Sequence, residues 1–266
     1  MNFRGKPSPV RGRVVRLGAV IWLALWASGC ADPPAKVEKP DPPVVRTAEC
    51  RWAATRIRID GRIDETAWES AQELTGFSIF WEKKMPATVT TAKLLWDNQY
   101  LYFMADMEDY DLYADIAQPN GRTWENDVFE IFLKPDAKKT AYYEFQVNAA
   151  NTPLELFLPS RGAGGYNRFA PITKIGIESA VRRRGTLNNF NDKDGGWTVE
   201  GRIPWTSFKP TGGIPEAGAK WKFALCRYDY SWTLEAPELM SSAPLTRPDF
   251  HRYEDYGELT FVGPKQ

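Results

Sequence analysis

Trp124-Glu125-Asn126-Asp127-Val128-Phe129-Glu130-Ile131-Phe132-Leu133 and, a few residues on, Tyr142-Tyr143-Glu144-Phe145-Gln146-Val147-Asn148 are the stretches on which the fold turns. Both are rich in aromatic and β-branched side chains, which suit a pleated, half-buried surface. In the second, Glu144, Gln146 and Asn148 alternate onto one face, the period of a strand. An aromatic ring beside a row of amides and carboxylates has a chemical meaning. The ring stacks on the apolar C–H face of a pyranose, and the polar groups take its hydroxyls. Both strands can build such a floor without any nucleophile. The stretch points to binding.

Outward from it, short alternating runs recur between turn clusters such as Asp60-Gly61, Asp97-Asn98, Gly162-Ala163-Gly164-Gly165, Asp194-Gly195-Gly196 and Gly212-Gly213. Strands are expected over 55–59, 89–96, 101–107, 127–133, 142–149, 154–158, 174–180, 197–203, 220–228 and 258–262. Only 64–71, with Asp64 placed to cap it, and 204–208 look helical. Many short strands with few helices predict an all-β fold, an antiparallel β-sandwich with one or two short helices. Trp197, Val199 and Ile203 share one strand face, as do Trp221, Phe223 and Leu225, so these rings read as core. Trp124 ends the polar loop 108–123, where burial gives no reason for it.

Four segments, in order, resemble the family 9 carbohydrate-binding modules in their "family 9-like" branch. They are Ile59-Asp60-Gly61-Arg62-Ile63-Asp64-Glu65-Thr66-Ala67-Trp68, Leu95-Trp96-Asp97-Asn98-Gln99-Tyr100-Leu101-Tyr102, Trp124 to Leu133, and Asp194-Gly195-Gly196-Trp197 through Trp205. Gly185-Thr186-Leu187-Asn188 precedes the last, and the similarity runs over about 55–262. The resemblance implies a jelly-roll-like pair of antiparallel sheets. It also implies a site where two rings hold a terminal sugar, with acidic, amide and basic groups on its hydroxyls. Trp124 matches the first ring, ahead of Asn126, and Glu130 matches the acidic ligand by its spacing from that Trp. Phe250 stands near the place of the second ring, where the studied modules have Trp, and Gln146 stands where they carry Arg. Asn148 completes the amide row, and Arg227 or Arg247 is the candidate for the missing guanidinium. Asn148 is also suited to closing a turn, and Asp127 and Glu130 to bonding loop backbone or a structural cation. Such modules often hold calcium, which prefers six to eight oxygens, and Asp60, Asp64 and Glu65 are the weak candidates for it.

The N-terminal stretch reads as an address. Arg4, Lys6, Arg11, Arg13 and Arg16 precede an apolar run, 17–26, about half the roughly 20 residues a bilayer span needs. Ala27-Ser28-Gly29-Cys30 resembles a lipobox, so 1–29 is expected to be a lipoprotein signal peptide and Cys30 the lipidated residue. A proline-rich spacer, 30–50, would then carry the domain, 51–266, in the cell envelope, at the outer membrane. The chain has 34 basic and 34 acidic residues; losing the five basic residues of the signal leaves a net charge of −5. That argues against nucleic acid, whose affinity rests on phosphate neutralisation. Cys50 and Cys226 could pair in an oxidising compartment; otherwise Cys226 is a small buried hydrophobe.

His251 is the one histidine in the chain, which removes histidine-based metal sites and Ser-His-Asp triads. No glycine-rich phosphate loop opens a helix. The reading is a monomeric, non-catalytic binder of oligosaccharide or polysaccharide, tied to polysaccharide recognition or catabolism. Its cofactor list holds structural calcium alone. Two alternatives stand beside it. One is a haem-binding redox module using Met104, Met107 or Met240 with His251, and the other a structural lipoprotein with a degenerate sugar groove.

Overall fold

The computed structural model describes Val44 and residues 46–264. The expected signal peptide, Cys30 and most of the spacer lie outside the described residues. Twelve strands are described: β1 Thr47–Trp52, β2 Glu73–Leu74, β3 Thr90–Trp96, β4 Tyr100–Met107, β5 Val128–Lys134 and β6 Tyr142–Asn148. They continue as β7 Pro153–Leu158, β8 Glu178–Arg183, β9 Trp197–Pro204, β10 Lys220–Asp229, β11 Glu238–Ser241 and β12 Gly257–Val262. Among the described residues, helical structure is confined to short 3₁₀ turns and one α-helix, α1 Gly165–Phe169.

The strands form one continuous sheet, ordered β7-β6-β5-β10-β12-β1-β3-β4-β9-β8, with β11 on β10 and β2 on β3. Its two halves fold face to face. Alternate residues point inward from each half: Phe129, Ile131 and Leu133 of β5, Phe145 of β6, Phe223 and Leu225 of β10, and, opposite, Leu94, Phe103, Val199 and Trp197. Phe103 stacks on Phe129 across the gap at 6.4 Å between ring centroids. Two outer faces are also covered. Ile57, Ala67 and Trp68 lie over Leu95, Tyr102 and Met104 on one. On the other, Phe132, Tyr142, Leu154, Leu156 and Ala224 face Phe169 of α1 and the loop carrying Phe250 and Tyr256.

The all-β sandwich is as read from the sequence, with informative departures. β1 is parallel to both β12 and β3, so the sheet is not wholly antiparallel. It takes residues 47–50, expected as spacer, because Ala48 and Cys50 alternate inward between Thr47, Glu49 and Arg51. The expected strand over 55–59 does not form; that segment crosses an outer face and buries Ile57 there. Residues 66–70 form a 3₁₀ turn without the expected cap, since Glu65 precedes it with no side-chain cap bond.

Cys50 and Cys226 are free thiols rather than a disulfide. Cys50 faces the inner core and Cys226 the outer layer beneath the 243–256 loop, so the two point away from each other across the sheet. Burial pushes both thiols up.

Candidate functional site

The outer face of β5, β6 and β10 is the floor of a cleft of about 490 Å³. Cross-strand register builds it. Glu130 on β5 lies opposite Gln146 on β6 and Cys226 on β10; one step along, Phe132 lies opposite Glu144 and Ala224. Side chains two apart on a strand share a face, so Glu130, Phe132, Glu144, Gln146 and Tyr142 all line the cleft. Trp124 enters at one side from the 3₁₀ turn Thr123–Glu125, half-buried, its ring edge-on to Tyr166 at 4.7 Å. Phe250 and His251 come from the loop before β12, Tyr228 from the end of β10, and Arg161 from the turn after β7.

Glycines shape the rim. Gly164 sits at φ 115°, and a Cβ there would come within 2.8 Å of the Arg168 side chain. The Gly162-Ala163-Gly164-Gly165 cluster therefore lets the chain turn tightly into α1 and hold Tyr166 beside Trp124.

The polar floor is a chain of fixed groups. The Thr123 hydroxyl donates to Gln146 Oε1 at 2.5 Å, and Gln146 Nε2 donates to Glu144 Oε1 at 2.5 Å. The Tyr142 hydroxyl meets His251 Nδ1 at 3.0 Å. Glu144 Oε2 lies 3.9 Å from that nitrogen. Glu130 is 1% exposed and Glu144 4%. Burial pushes both carboxyls up, and at Glu130 the neighbouring Glu144 charge adds to the rise. Arg161 is the guanidinium of the cleft, held bidentate by Glu254 at 2.8 Å and 2.8 Å and seated over the Tyr253 ring.

Of the residues expected from the sequence, Trp124, Glu130, Gln146 and Phe250 meet at this cleft. Phe250 is 4% exposed, wedged against Tyr228, Phe132 and Trp81, so it walls the cleft and offers little free face. Three others do not reach it. Asn126 and Asn148 bond each other, and Asn126 Oδ1 also accepts the Ile116 N–H. Asn148 Oδ1 accepts the N–H groups of Ala150 and Thr152, which closes the turn after β6. Arg227 points the other way. It shares the inward parity of Phe223 and Leu225 and ion-pairs with Asp109 at 3.0 Å and Asp229 at 3.1 Å. Arg247 is exposed outside the cleft. Glu144, read in the sequence as part of the polar row but given no role of its own, lines it too, as do Tyr142, Arg161, Tyr166, Tyr228 and His251. For Glu144 and Tyr142 the signal was present, as both share the strand face of Gln146.

The acidic loop expected to hold calcium is partly assembled. Asp60 and Glu65 come together with Glu200, and Asp64 is not of the group. Most of its oxygens already have donors. Asp60 pairs with Arg58 and Arg62. Glu200 accepts the N–H groups of Asp60 and Gly61 on one oxygen and the Trp68 indole on the other. Only Glu65 Oε2 is buried without a partner. Such a donor set fits a hydrogen-bonded buckle rather than a calcium cage.

The haem alternative does not assemble. Met107 and Met240 are buried between the sheet halves and Met104 under the 53–71 segment, and none lines the cleft that holds His251.

A folded sheet with an aromatic-walled, carboxylate-floored cleft on one outer face defines a β-sandwich with a concave polar site on its surface. The chain belongs to the carbohydrate family 9 binding domain-like family, whose model matches residues 59–264. It is 32% identical over 159 residues to endo-1,4-beta-xylanase A of Thermotoga maritima and 29% identical over 154 residues to exoglucanase XynX of Acetivibrio thermocellus. The match spans 58% and 56% of this chain but only 12% of either relative. Among solved structures, a Bacteroides uniformis protein superposes with a TM-score of 0.65 at 16% identity, covering 82% of this chain and 99% of that one. A family 9 module of Caldicellulosiruptor kristjanssonii, solved in complex with cellotriose, superposes at 0.55 and 17% identity, covering 83% and 95%. At such identities the superpositions speak to the fold.

Proposed function

We propose that this protein is a non-catalytic carbohydrate binder whose site is the cleft between Trp124 and the 248–251 loop. One observation carries the reading. A half-exposed Trp ring stands beside three buried polar side chains, Glu130, Glu144 and Gln146, on one rigid strand face. Each floor group sits on a strand, which fixes it more firmly than a loop would. The C. kristjanssonii module solved with cellotriose, and again with glucose, supports sugar as the ligand class. The relatives' glycosidase activities are not carried over, because the match covers about an eighth of their length.

Trp124→Ala is expected to weaken binding of a recognised oligosaccharide by one to two decades, about 1–3 kcal/mol, with the melting temperature nearly unchanged. Calorimetric titration against cello-, xylo- and manno-oligosaccharides measures it. Chromatography of the same mixtures after long incubation should return the sugars intact. Protein-dependent shortening, lost in Glu130→Gln, would replace the binder by a hydrolase.

The address is part of the same proposal. A lipid on Cys30 would hold the domain at a membrane of the cell envelope, where a sugar binder serves polysaccharide capture and breakdown. Cys30→Ser should abolish labelling by a fatty-acid analogue and leave a longer precursor. Undiminished labelling of that variant removes the anchor.

A further inference from the structure

We propose that the cleft is built for a cationic amino sugar, a hexosamine with its amine free, and that Glu130 and Glu144 together receive the ammonium group. This rests on the carbohydrate reading and narrows it.

Two buried atoms motivate it. Glu130 Oε1 and Glu144 Oε2 are both buried and have no hydrogen-bond partner. Both residues line the cleft and are more than nine-tenths buried. Their register makes them diagonal neighbours on one face of an antiparallel pair, a separation of roughly 7–8 Å between Cα atoms, within reach of long side chains. One small group placed above the floor can therefore meet both.

The charge of the cleft is unbalanced in the same sense. Glu130, Glu144 and Asp249 line it, and the basic side chains among its lining are Arg161 and His251. Arg161 is already neutralised by Glu254 through two 2.8 Å contacts. His251 spends its Nδ1 on the Tyr142 hydroxyl and stands 3.9 Å from Glu144. Among the described residues no lysine or arginine is within ion-pair distance of Glu130, and the buried Lys134 further along β5 donates to the carbonyls of Asp136 and Lys139. A neutral sugar brings hydroxyls, which satisfy a carboxylate's lone pairs but not its buried charge. An ammonium brings three donors and the opposing charge together. The aromatic walls add to this, since the faces of Trp124 and Tyr228 attract a cation through the ring quadrupole.

The empty cleft has its own answer to this imbalance. Burial raises both carboxyls, so the pair holds a proton more tightly than solvent-exposed glutamates do. An arriving ammonium displaces that proton. Binding of an amino sugar is then linked to proton release, whereas binding of a neutral sugar is not.

The test is calorimetric titration of the full chain with three disaccharides: β-1,4-linked glucosamine, its N-acetylated counterpart and cellobiose. At about pH 6, where exposed carboxylates are ionised and a free sugar amine is charged, the glucosamine disaccharide should bind about tenfold tighter or better than the other two. Its apparent enthalpy should change with the ionisation enthalpy of the buffer, as proton release requires. Glu130→Gln and Glu144→Gln preserve shape, and in each the ratio of glucosamine to N-acetyl affinity should fall towards one. Melting temperatures of the variants check that they fold. Cellobiose or the N-acetylated sugar binding as tightly as the amine overturns the proposal and leaves the carbohydrate reading standing. An amine preference untouched by both variants also overturns it. A folded wild type that binds none of these sugars, nor xylo- or manno-oligosaccharides, sinks the carbohydrate reading and this proposal with it.

Discussion

Arg227→Met is expected to cost about 3–5 kcal/mol of folding stability, read as a fall in the urea midpoint at constant slope. For a chain of this size that corresponds to a melting temperature lower by roughly 6–20 °C. The reason lies in what the guanidinium holds. Arg227 is 0% exposed; it pairs with Asp109 and Asp229 and donates to the hydroxyls of Thr88 and Thr90 at 3.3 Å and 3.1 Å. Carboxylate oxygens of Asp109, Asp127 and Asp229 lie within 4.8 Å of one another. Removing the guanidinium leaves these acids facing each other in a dry interior. Methionine fills much of the volume, so the loss reports charge rather than a cavity. Arg227→Lys keeps the charge without the planar fork and should fall between the two. Arg227 lies on the face of β10 opposite the cleft, so the folded variant should bind sugar as the wild type does. A stability loss under about 1 kcal/mol would mean the acids are neutral without their partner.

Stability is also expected to fall as pH rises from about 4 to about 7. Burial, then the neighbouring Asp229, pushes the Asp109 carboxyl up to about 6 even with Arg227 beside it. Burial pushes Glu200 up to about 7 against the donors that hold it. In the unfolded chain both groups titrate near 4. Between those limits the native state keeps protons that the unfolded state has lost, so stability is greatest below the unfolded values and is lost as pH climbs through the folded ones. Asp109 alone accounts for up to about 3 kcal/mol of this fall. Acids lowered by partners, such as the half-buried Asp255 bonded by Thr246 and Arg252, act in the opposite sense and only at the acid end. Urea midpoints near pH 5 and near pH 8 measure the difference. Asp109→Asn should flatten it. Equal midpoints in the wild type would show that the cluster keeps no proton.

How much of this was legible in the sequence follows strand parity. β3 to β6, β9, β10 and β12 were readable because each alternates large apolar side chains for most of its length. β1 was not, since its inward residues are only Ala48 and Cys50 and it borders a proline-rich stretch. β8, expected over 174–180, lies at Glu178–Arg183, a ladder on the sheet edge whose exposed polar residues give little periodicity. At the site, Glu130 and Gln146 lie opposite each other on neighbouring strands, and Trp124 stands in the turn just before the first of them, so all three fall within one short stretch of sequence. Arg161, Tyr166, Tyr228 and His251 arrive from turns far apart in sequence, and nothing local marks them. The misplacement of Arg227 was avoidable. Trp221, Phe223 and Leu225 already fixed which face of β10 is inward, and Arg227 continues their parity.

The parallel pairing of β1 also gives the molecule a mechanical character. β1 is the seam between the two halves, with β12 on one side and β3 on the other. The register with β12 runs over Thr47–Arg51, and β3 takes over at Arg51 and Trp52. A load entering the domain along its first strand therefore meets the middle of the sheet, not an edge. A load directed along β1 shears both ladders at once, whereas an edge strand loaded the same way shears only one. From β1 the load passes through β12 and β10 to β5, the strand that carries Glu130. A domain held at its first strand and pulled through a ligand in its cleft thus carries tension along the backbone of its own sheet.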